Sequence, residues 1–368
     1  MNIVLVSSAG RCGIREYARI LTEGFCELGH RVHYVAVRRH DNRDLARQIR
    51  QVKRDDELVI VEYEPAIFWL GGLVRAMAWL RFWRRKRVLL SVHEIGPDKY
   101  AEARQIQWHL ARPVSRRGPL AELGMLLLSS GDVTLRFVLL RVGLLLMGWL
   151  PHEVLVHSPK AVKNIDLTVA DDGKVHYVPH VVKRLDGDRD AVRRQLGLPG
   201  DRFAFIAPGF LFRRKRIVEV VEQVPPGAEL WIVGTESDMD PGYLDEIRAS
   251  LSNCGYSDRV RLVQDYERME QYLMAADAAV FFYSDGYQSG VASLAVGAAK
   301  PCIFSDLPAF SDLREAGLTV RTSRDLHEAM VEIQKPACYH GLAEAARTLR
   351  DELAPGPIAR QYLATLSS

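Results

Sequence analysis

The chain lacks the features that mark disulfide-stapled, zinc-binding and nucleic-acid-binding proteins. Its five cysteines lie far apart and form no C-x-x-C pair, which argues against a disulfide framework and a zinc site and fits a reducing cytosol. The formal net charge is only +3, so any basic feature must be local, and we expect no nucleic acid among the partners.

The sequence also lacks a segment expected to cross a membrane or to direct secretion. The longest apolar stretch, 134–150, is interrupted by Arg136 and Arg141 and is shorter than the about 20 residues that a spanning helix needs. The first residues, Met-Asn-Ile-Val-Leu-Val, are typical of a strand and have no basic region or cleavage site. We therefore expect a cytoplasmic protein.

What the 368 residues do contain is an alternation of strand and helix patterns in both halves, which predicts an α/β fold with two domains and parallel sheets. Strands are predicted at 3–7, 31–37, 58–62, 88–93, 154–156, 175–178, 203–207, 229–233, 260–263, 278–283 and 301–305. Helices of the second half are predicted at 216–223, 243–252, 269–275, 289–299 and 358–366.

The predicted domains are 1–183, with a helical insert at about 98–150, and 184–354. A C-terminal helix in 355–368 is expected to pack back on the first domain. The polar stretch 184–201 has Gly and Pro near its end and is the candidate linker.

The sharpest local pattern is Tyr283 to Ser305, where a strand, a Ser/Gly-rich turn and a helix follow one another. Free N–H groups at a helix N-terminus bind anions, and glycine lets a phosphate approach the backbone. An ordinary strand-turn-helix connection with Ser289 as N-cap explains the pattern equally well.

A second block, 207–216, reads Ala-Pro-Gly-Phe-Leu-Phe-Arg-Arg-Lys-Arg. The cations Arg213, Arg214 and Lys215 follow a strand that ends in glycine and suit a diphosphate leaving group. A solvated basic loop is the commoner fate of such a run. Because both blocks follow strands of the same predicted sheet, the two together favour an anion site more than either alone.

In their order, several short motifs resemble glycosyltransferase family 4 over nearly the whole chain outside the insert. The motifs are Gly-His-Arg-Val at 29–32, Glu64-Pro65, Val92-His93, Val-Pro-His-Val at 178–181, Gly209 with Lys215, and the segment from 275 to 306. The resemblance implies a GT-B fold, with two Rossmann-like domains facing across a cleft. It also implies a nucleotide-sugar donor in the C-terminal domain, an acceptor in the N-terminal domain, transfer with retention, and no cofactor or metal.

The resemblance also implies roles for single residues. Lys215 is similar to the lysine that contacts the donor diphosphate, and His93 to the histidine near the reacting sugar, although a histidine at a strand end also serves as a simple cap. Phe210 stands where the family often has an arginine, so Arg213 or Arg214 would supply that charge. The donor-binding candidates are Gly10, Gly13, Gly209, Arg213, Arg214, Lys215, Tyr266, Asp285, Gln288, Ser289, Gly290 and Val291. The acceptor-side candidates are Arg11, Glu62 and Glu64, and the catalytic candidates are His93 and Lys215.

One departure from the family concerns its Glu-x7-Glu pair. The two positions hold Gly286 and Leu294, so both carboxylates are missing. Asp285 is adjacent, and the turn 287–290, Tyr-Gln-Ser-Gly, resembles a variant found in part of the family. Sugar and ribose recognition must therefore come partly from elsewhere. Asp238-Met239-Asp240 spells a D-x-D, which we interpret as turn chemistry.

The stretch 69–87 combines an apolar helical face with aromatic residues and five cations. This combination favours peripheral contact with an anionic membrane at the inner face of the plasma membrane, and hence a lipid-linked acceptor. A helix of an α/β domain must bury an apolar face in any case. The apolar face is Trp69, Leu73, Met77 and Leu80; the other aromatic residues are Trp79, Phe82 and Trp83; the cations are Arg81, Arg84, Arg85, Lys86 and Arg87.

Taken together, these patterns predict a retaining hexosyltransferase. It would move a hexose from a GDP- or UDP-sugar to a saccharide or lipid-linked acceptor, in polysaccharide, glycolipid or glycosylated natural-product biosynthesis. A nucleotide-sugar epimerase or hydrolase would need further carboxylates, for which Glu62, Glu64 and Glu94 are the candidates. The missing glutamates also leave open a catalytically silent GT-B protein that binds a membrane or a partner.

Overall fold

The computed structural model describes residues 1–10, 12–64, 67–93, 146–158, 174–198, 200–237, 240–253, 258–286 and 289–366. The chain divides into two compact units: unit 1 is Met1–Pro179 with Ala359–Ser368, and unit 2 is His180–Ile358. Most of the predicted insert lies outside the described residues, as do Arg11, Pro65, Glu94, Asp238 and Gln288.

Unit 1 is built on a parallel sheet. Its strands are β1 (Asn2–Ser8), β2 (Arg31–Val37), β3 (Leu58–Tyr63), β4 (Arg87–Val92), β5 (Glu153–Val156) and β6 (Val175–Tyr177), in the order β2-β1-β3-β4-β5-β6. Its first crossovers contain the helices α1 (Gly13–Glu27), α2 (Asn42–Ile49) and α3 (Leu70–Ala78). All six residues of β3 are buried, which explains the apolar run that precedes Glu62 in the sequence.

Unit 2 repeats this plan with a second parallel sheet. Its strands are β7 (Ala204–Pro208), β8 (Glu229–Val233), β9 (Val260–Val263), β10 (Ala278–Phe281), β11 (Cys302–Ser305) and β12 (Gly317–Val320), in the order β12-β11-β10-β7-β8-β9. Its helices are α4 (Arg189–Leu196), α5 (Ile217–Glu222), α6 (Tyr243–Asn253), α7 (Met269–Ala275), α8 (Gly290–Gly297), α9 (Ser323–Glu332) and α10 (Pro336–Glu352). The last helix, α11 (Pro355–Ala364), begins in unit 2 and ends in unit 1. The predicted α/β fold with two domains is confirmed.

The strand orders locate the ligand-binding edge of each sheet. In an open parallel sheet, ligands bind beyond the carboxyl ends of the strands, at the point where the strand order reverses. That point lies between β7 and β10 in unit 2 and between β1 and β3 in unit 1. Residues that directly follow these four strands are therefore the first candidates for a site.

The predicted linker is wrong, because the stretch 184–201 contains α4 inside unit 2. The residue that binds this helix to the unit is Arg193, whose side chain is 2% exposed. Its guanidinium donates to the Ala275 carbonyl at 2.8 Å and to the Asp277 carboxylate at 2.7 Å. Such buried anchoring is not visible in a polar sequence pattern.

The sequence pattern also missed four elements between Ser305 and the C-terminal helix: the 3-10 helix Pro308–Ala316, β12, α9 and α10. The strand β12 has only four residues and lies at the edge of its sheet, so it carries little apolar signal. The helix α9 does have a sequence signal for its start, because Thr322 and Asp325 form a capping box there.

The last helix, α11, takes the chain back to unit 1, which includes Ala359–Ser368. Tyr362 on this helix is fully buried, and its hydroxyl lies 2.7 Å from the Tyr17 hydroxyl and 3.0 Å from Ser91 Oγ. The C-terminal residues are thus part of the core of unit 1.

The stretch 69–87 starts with α3 and continues as a π-helical turn, Trp79–Trp83, before β4. Leu73, Met77 and Leu80 are fully buried, so this part of the apolar face belongs to the core. No helix among the described residues has the length and apolar character to cross a membrane.

Candidate functional site

The described part of unit 2 contains a buried lysine without a carboxylate partner. Lys215 ends a short 3-10 turn, Arg213–Lys215, that follows β7, and the residue is 6% exposed. Its ammonium group donates to the Pro208 carbonyl at 3.0 Å and lies 5.5 Å from the centre of the Tyr283 ring. A buried cation next to a carbonyl and a ring, with no counter-charge, is an incomplete ion pair.

The neighbouring cations differ from Lys215 because two of them are already neutralised. Arg213 pairs with Asp240 and Glu246, and Arg216 pairs with Glu219. Among the described residues, the ion-pair partner of Arg214 is Asp285 at 3.6 Å, and both side chains are largely exposed. Lys215 and Arg214 are therefore the charges of this run that remain for an anion, and Arg213 is the weaker candidate.

Gly209 is required by the packing around Lys215. It has a φ of +94°, and a Cβ there would lie 2.8 Å from Lys215 Nζ and 2.9 Å from Val291 Cγ1. The absence of a side chain at this position lets the lysine and the start of α8 approach the end of β7. The sequence-predicted residues Gly209, Lys215 and Val291 are thus brought together.

The start of α8 offers free N–H groups next to the lysine. Ser289 is the N-cap, and its hydroxyl accepts a hydrogen bond from the Ala292 amide at 3.3 Å. A Cβ on Gly290 would meet nothing within 4 Å, so the fold itself leaves space there. Ser289 is thus the cap of an ordinary strand-turn-helix connection. The turn is also compatible with an anion site, because a capped helix N-terminus still has unpaired donors and a positive dipole end.

A direct hydrogen bond joins the two sequence blocks. The Ser284 amide donates to the Arg214 carbonyl at 2.8 Å. The strands β7 and β10 are neighbours in the sheet, so their following loops meet at the point where the strand order reverses. Tyr287 and Gln288, in the same turn, lie outside the described residues.

Burial controls the electrostatics of this site. Loss of hydration, with a smaller effect of Arg214, lowers the pKa of Lys215 to about 7. Burial likewise raises the pKa of Tyr283 to about 12, against a smaller lowering by Ser289 and Arg214. Tyr283 was not among the predicted site residues, although it ends the apolar run before the turn.

Two aromatic rings lie exposed beside this edge of the sheet. Phe210 directly follows Gly209 and stacks on Tyr266, with ring centres 4.7 Å apart and planes inclined by 21°. Phe210 is 46% exposed and Tyr266 37%. The position where the family often has an arginine thus holds half of an aromatic pair.

The site residues predicted in unit 1 follow β1 and β3, the strands that flank the reversal of strand order. Gly10 and Gly13 are exposed, and the Gly10 amide donates to Ser8 Oγ at 3.1 Å. Glu64 is half-buried just after β3, and Arg11 lies outside the described residues. The described residues Gly10, Gly13 and Glu64 thus lie at or near the carboxyl ends of β1 and β3.

Glu62 does not fit its predicted place on the acceptor side, because it is fully buried. One of its oxygens, Oε2, lies 2.7 Å from His93 Nε2, and the His93 side chain is 3% exposed. The His93 side chain therefore offers little surface to a ligand. The signal for this pairing was the position of both residues at the ends of neighbouring strands.

Glu62, His93 and His157 are also the group of described residues that could hold a metal ion, since their ligand atoms lie within 4.8 Å of one another. In this structure the atoms are joined by hydrogen bonds. Ser91 Oγ lies 2.5 Å from Glu62 Oε2 and 2.8 Å from His157 Nε2. Metal independence remains a prediction.

Part of the sequence matches a known protein family. Residues 208–335 match the family model described as Glycosyl transferases group 1. The match lies within unit 2. The matched segment contains Gly209, Lys215 and the start of α8. No curated protein sequence matches the chain.

Solved structures resemble the whole chain. They include HepE of Anabaena in complex with UDP (TM-score 0.72, 13% identity, 100% of this chain and 99% of that chain). For sucrose-phosphate synthase from Thermosynechococcus elongatus the TM-score is 0.65 and the identity 18%, over 100% of this chain and 98% of that chain. For WaaG, a glycosyltransferase involved in lipopolysaccharide biosynthesis, the TM-score is 0.60 and the identity 13%, over 100% of both chains. At such identities the likeness shows the fold, which is the two-domain α/β fold of the GT-B type.

The lowered pKa of Lys215 predicts a pH-dependent stability. The unfolded chain keeps this proton up to about pH 10.5, whereas the folded protein releases it above about pH 7. Between these values the unfolded state binds more protons, so the lysine makes the free energy of unfolding rise with pH, by at most roughly 1.4 kcal/mol per unit. Lys215→Met removes this dependence.

Urea unfolding of both proteins from pH 6 to 9.5 measures the difference. We expect the methionine variant to have its largest advantage below pH 7 and to lose it progressively at higher pH. A difference that is constant across this range would show that the lysine is not buried as described.

Proposed function

We propose that this protein is a nucleotide-sugar-dependent glycosyltransferase that binds the donor's diphosphate in unit 2. The observation that carries the proposal is the buried ammonium group of Lys215. It lacks a carboxylate partner among the described residues and lies beside the N-terminus of α8, where the order of the strands reverses. A diphosphate would supply the missing negative charge and accept from the free helix N–H groups.

The same groups suit the chemistry of transfer. As the bond from the sugar to the diphosphate breaks, negative charge grows on the leaving group, and preorganised donors stabilise it. Lys215 and Arg214 supply positive charge, and the amides of Ser289, Gly290 and Val291 supply hydrogen bonds. The acceptor hydroxyl attacks the face from which the diphosphate leaves and gives its proton to a phosphate oxygen. Configuration is retained, and the mechanism requires neither an enzymic nucleophile nor a metal.

We assign the nucleobase to the exposed face of the Phe210–Tyr266 pair. Stacking on an aromatic ring contributes about 1–3 kcal/mol per base, and this pair is held in place by its own 4.7 Å stack. The resemblance to HepE in complexes with UDP and UDP-glucose supports a uridine nucleotide, although a guanine base would stack as well. Asp285 is the carboxylate that we assign to a sugar hydroxyl, because its side chain is 72% exposed and lies beside Arg214.

The proposed acceptor side is unit 1, at the ends of β1, β3 and β4. The loop with Gly10 and Gly13 follows β1, and His93 directly follows β4. The resemblance to glycosyltransferase family 4 supports a role for His93 beside the reacting sugar. The acceptor is a saccharide or a lipid-linked saccharide.

Lys215→Ala tests the proposed role of the lysine. Loss of one preorganised donor to a developing negative charge lowers kcat by about 10²-fold or more, and the unfolding transition should remain cooperative. Turnover of UDP- and GDP-sugars is measured by release of the nucleoside diphosphate. Lys335→Ala, which removes an exposed lysine of unit 2 paired with Glu332, is the control and should have wild-type turnover. Near-normal turnover of Lys215→Ala would refute the role of the lysine.

We also propose peripheral contact with an anionic membrane, through a smaller surface than the sequence pattern predicts. Lys86 is buried and donates to the carbonyls of Arg54 and Asp56, and is thus not part of it. Phe82, Trp83 and Trp149 are 51%, 78% and 54% exposed. Arg81 lies between two of these rings, and the nearby Arg85 and Arg87 are exposed. Exposed aromatic rings beside cations suit a lipid headgroup region.

Trp83→Ala should reduce co-flotation of the protein with vesicles that contain anionic lipid, at least severalfold at low salt. The reason is that the variant loses the most exposed ring of this surface. The control is Trp69→Ala, which removes an exposed tryptophan that packs against His40 instead. Equal flotation of Trp83→Ala and wild type, or none for wild type, would contradict the membrane surface.

A further inference from the structure

A chain of buried hydrogen bonds runs from the C-terminal helix to His93. The Tyr362 hydroxyl lies 3.0 Å from Ser91 Oγ, which donates to Glu62 Oε2 at 2.5 Å, and the same carboxylate oxygen lies 2.7 Å from His93 Nε2. Tyr362, Ser91 and Glu62 are each fully buried. Three elements that are distant in sequence, α11, β4 and β3, thus meet at one carboxylate.

The hydrogen positions in this cluster follow from its distances. The Val178 carbonyl can only accept, so His157 Nδ1, at 2.9 Å from it, carries a proton. Ser91 has a single hydroxyl proton but lies close to two acceptor atoms, Glu62 Oε2 and His157 Nε2. The Tyr362 hydroxyl, 3.3 Å from His157 Nε2, is a second donor in the cluster. Tyr17 borders it as well, with its hydroxyl 2.7 Å from that of Tyr362.

We propose that Glu62, Ser91 and Tyr362 are positioning residues for His93, so that the C-terminal helix is part of the acceptor-side apparatus of unit 1. Glu62 accepts from Nε2–H and thereby fixes both the tautomer and the orientation of the ring. Ser91 and Tyr362 hold the carboxylate in place. This inference rests on the proposed role of His93 beside the reacting sugar.

The packing around the ring explains why orientation matters. Tyr17 meets the His93 ring edge-on with centres 4.6 Å apart, and His157 lies against it at 4.7 Å. Because the His93 side chain is only 3% exposed, a small rotation of the ring would change the little surface that it offers to a ligand. Loss of a positioning group should therefore lower kcat and leave donor binding in unit 2 unchanged.

The test is Tyr362→Phe, which removes one hydroxyl and keeps the ring. We expect kcat to fall about tenfold, with the KM for the nucleotide-sugar and the Kd for UDP within twofold of wild type. The ¹⁵N NMR signals of the His93 ring should change, because its hydrogen-bonded partner Glu62 loses support. Glu62→Gln should change the same signals more strongly. The control is Tyr339→Phe, which removes the hydroxyl of a tyrosine of unit 2 that packs against Phe203.

Wild-type His93 signals in Tyr362→Phe would overturn the proposal whether or not the protein is active. One equivalent of zinc in the purified protein would also overturn it, because a metal would then replace these hydrogen bonds. If the His93 signals change in Tyr362→Phe but the wild-type protein has no turnover with any nucleotide-sugar, the result would support the network and refute the proposed function.

Discussion

The candidate site of unit 2 depends on one ammonium group that the fold keeps away from water and that has no carboxylate partner among the described residues. Lys215 is held by the Pro208 carbonyl and the Tyr283 ring, and burial lowers its pKa to about 7. Gly209 has no side chain because the lysine and Val291 occupy that space. The flanking arginines, Arg213 and Arg216, are each paired with carboxylates, so the positive charge that remains is concentrated on the inner residues.

Unit 1 handles its buried charge in the opposite way. Glu62 has partners in Ser91 and His93, and the chain of hydrogen bonds extends to Tyr362 on the last helix. Lys215 has no carboxylate partner among the described residues, whereas the ring of His93 is held through its Nε2 by the Glu62 carboxylate. Both lie just beyond the carboxyl ends of parallel strands.

The parts of the fold that the sequence predicted are those with strong local patterns. Buried parallel strands such as β3 and β8 each contain a run of four apolar residues, and their bounds were correct to within one or two residues. The linker failed because Arg193, a charged residue in a polar stretch, is buried by a partner more than 80 residues away. The pairing of Glu62 with His93 was missed for the same reason, since it depends on the order of strands in the sheet. Arg11 and Gln288 lie outside the described residues, and their assignments stay predictions.

Donor binding as proposed requires that Lys215 gains a negatively charged partner, the diphosphate. At pH 8 a lysine with a pKa of about 7 is mostly neutral, and a bound diphosphate favours its charged form. Calorimetric titration with UDP, and with GDP in parallel, in buffers of different ionisation enthalpy measures the protons taken up on binding. We predict uptake close to one proton per nucleotide for the wild type and none for Lys215→Met. Binding without proton uptake, or equal uptake by both proteins, would contradict the account.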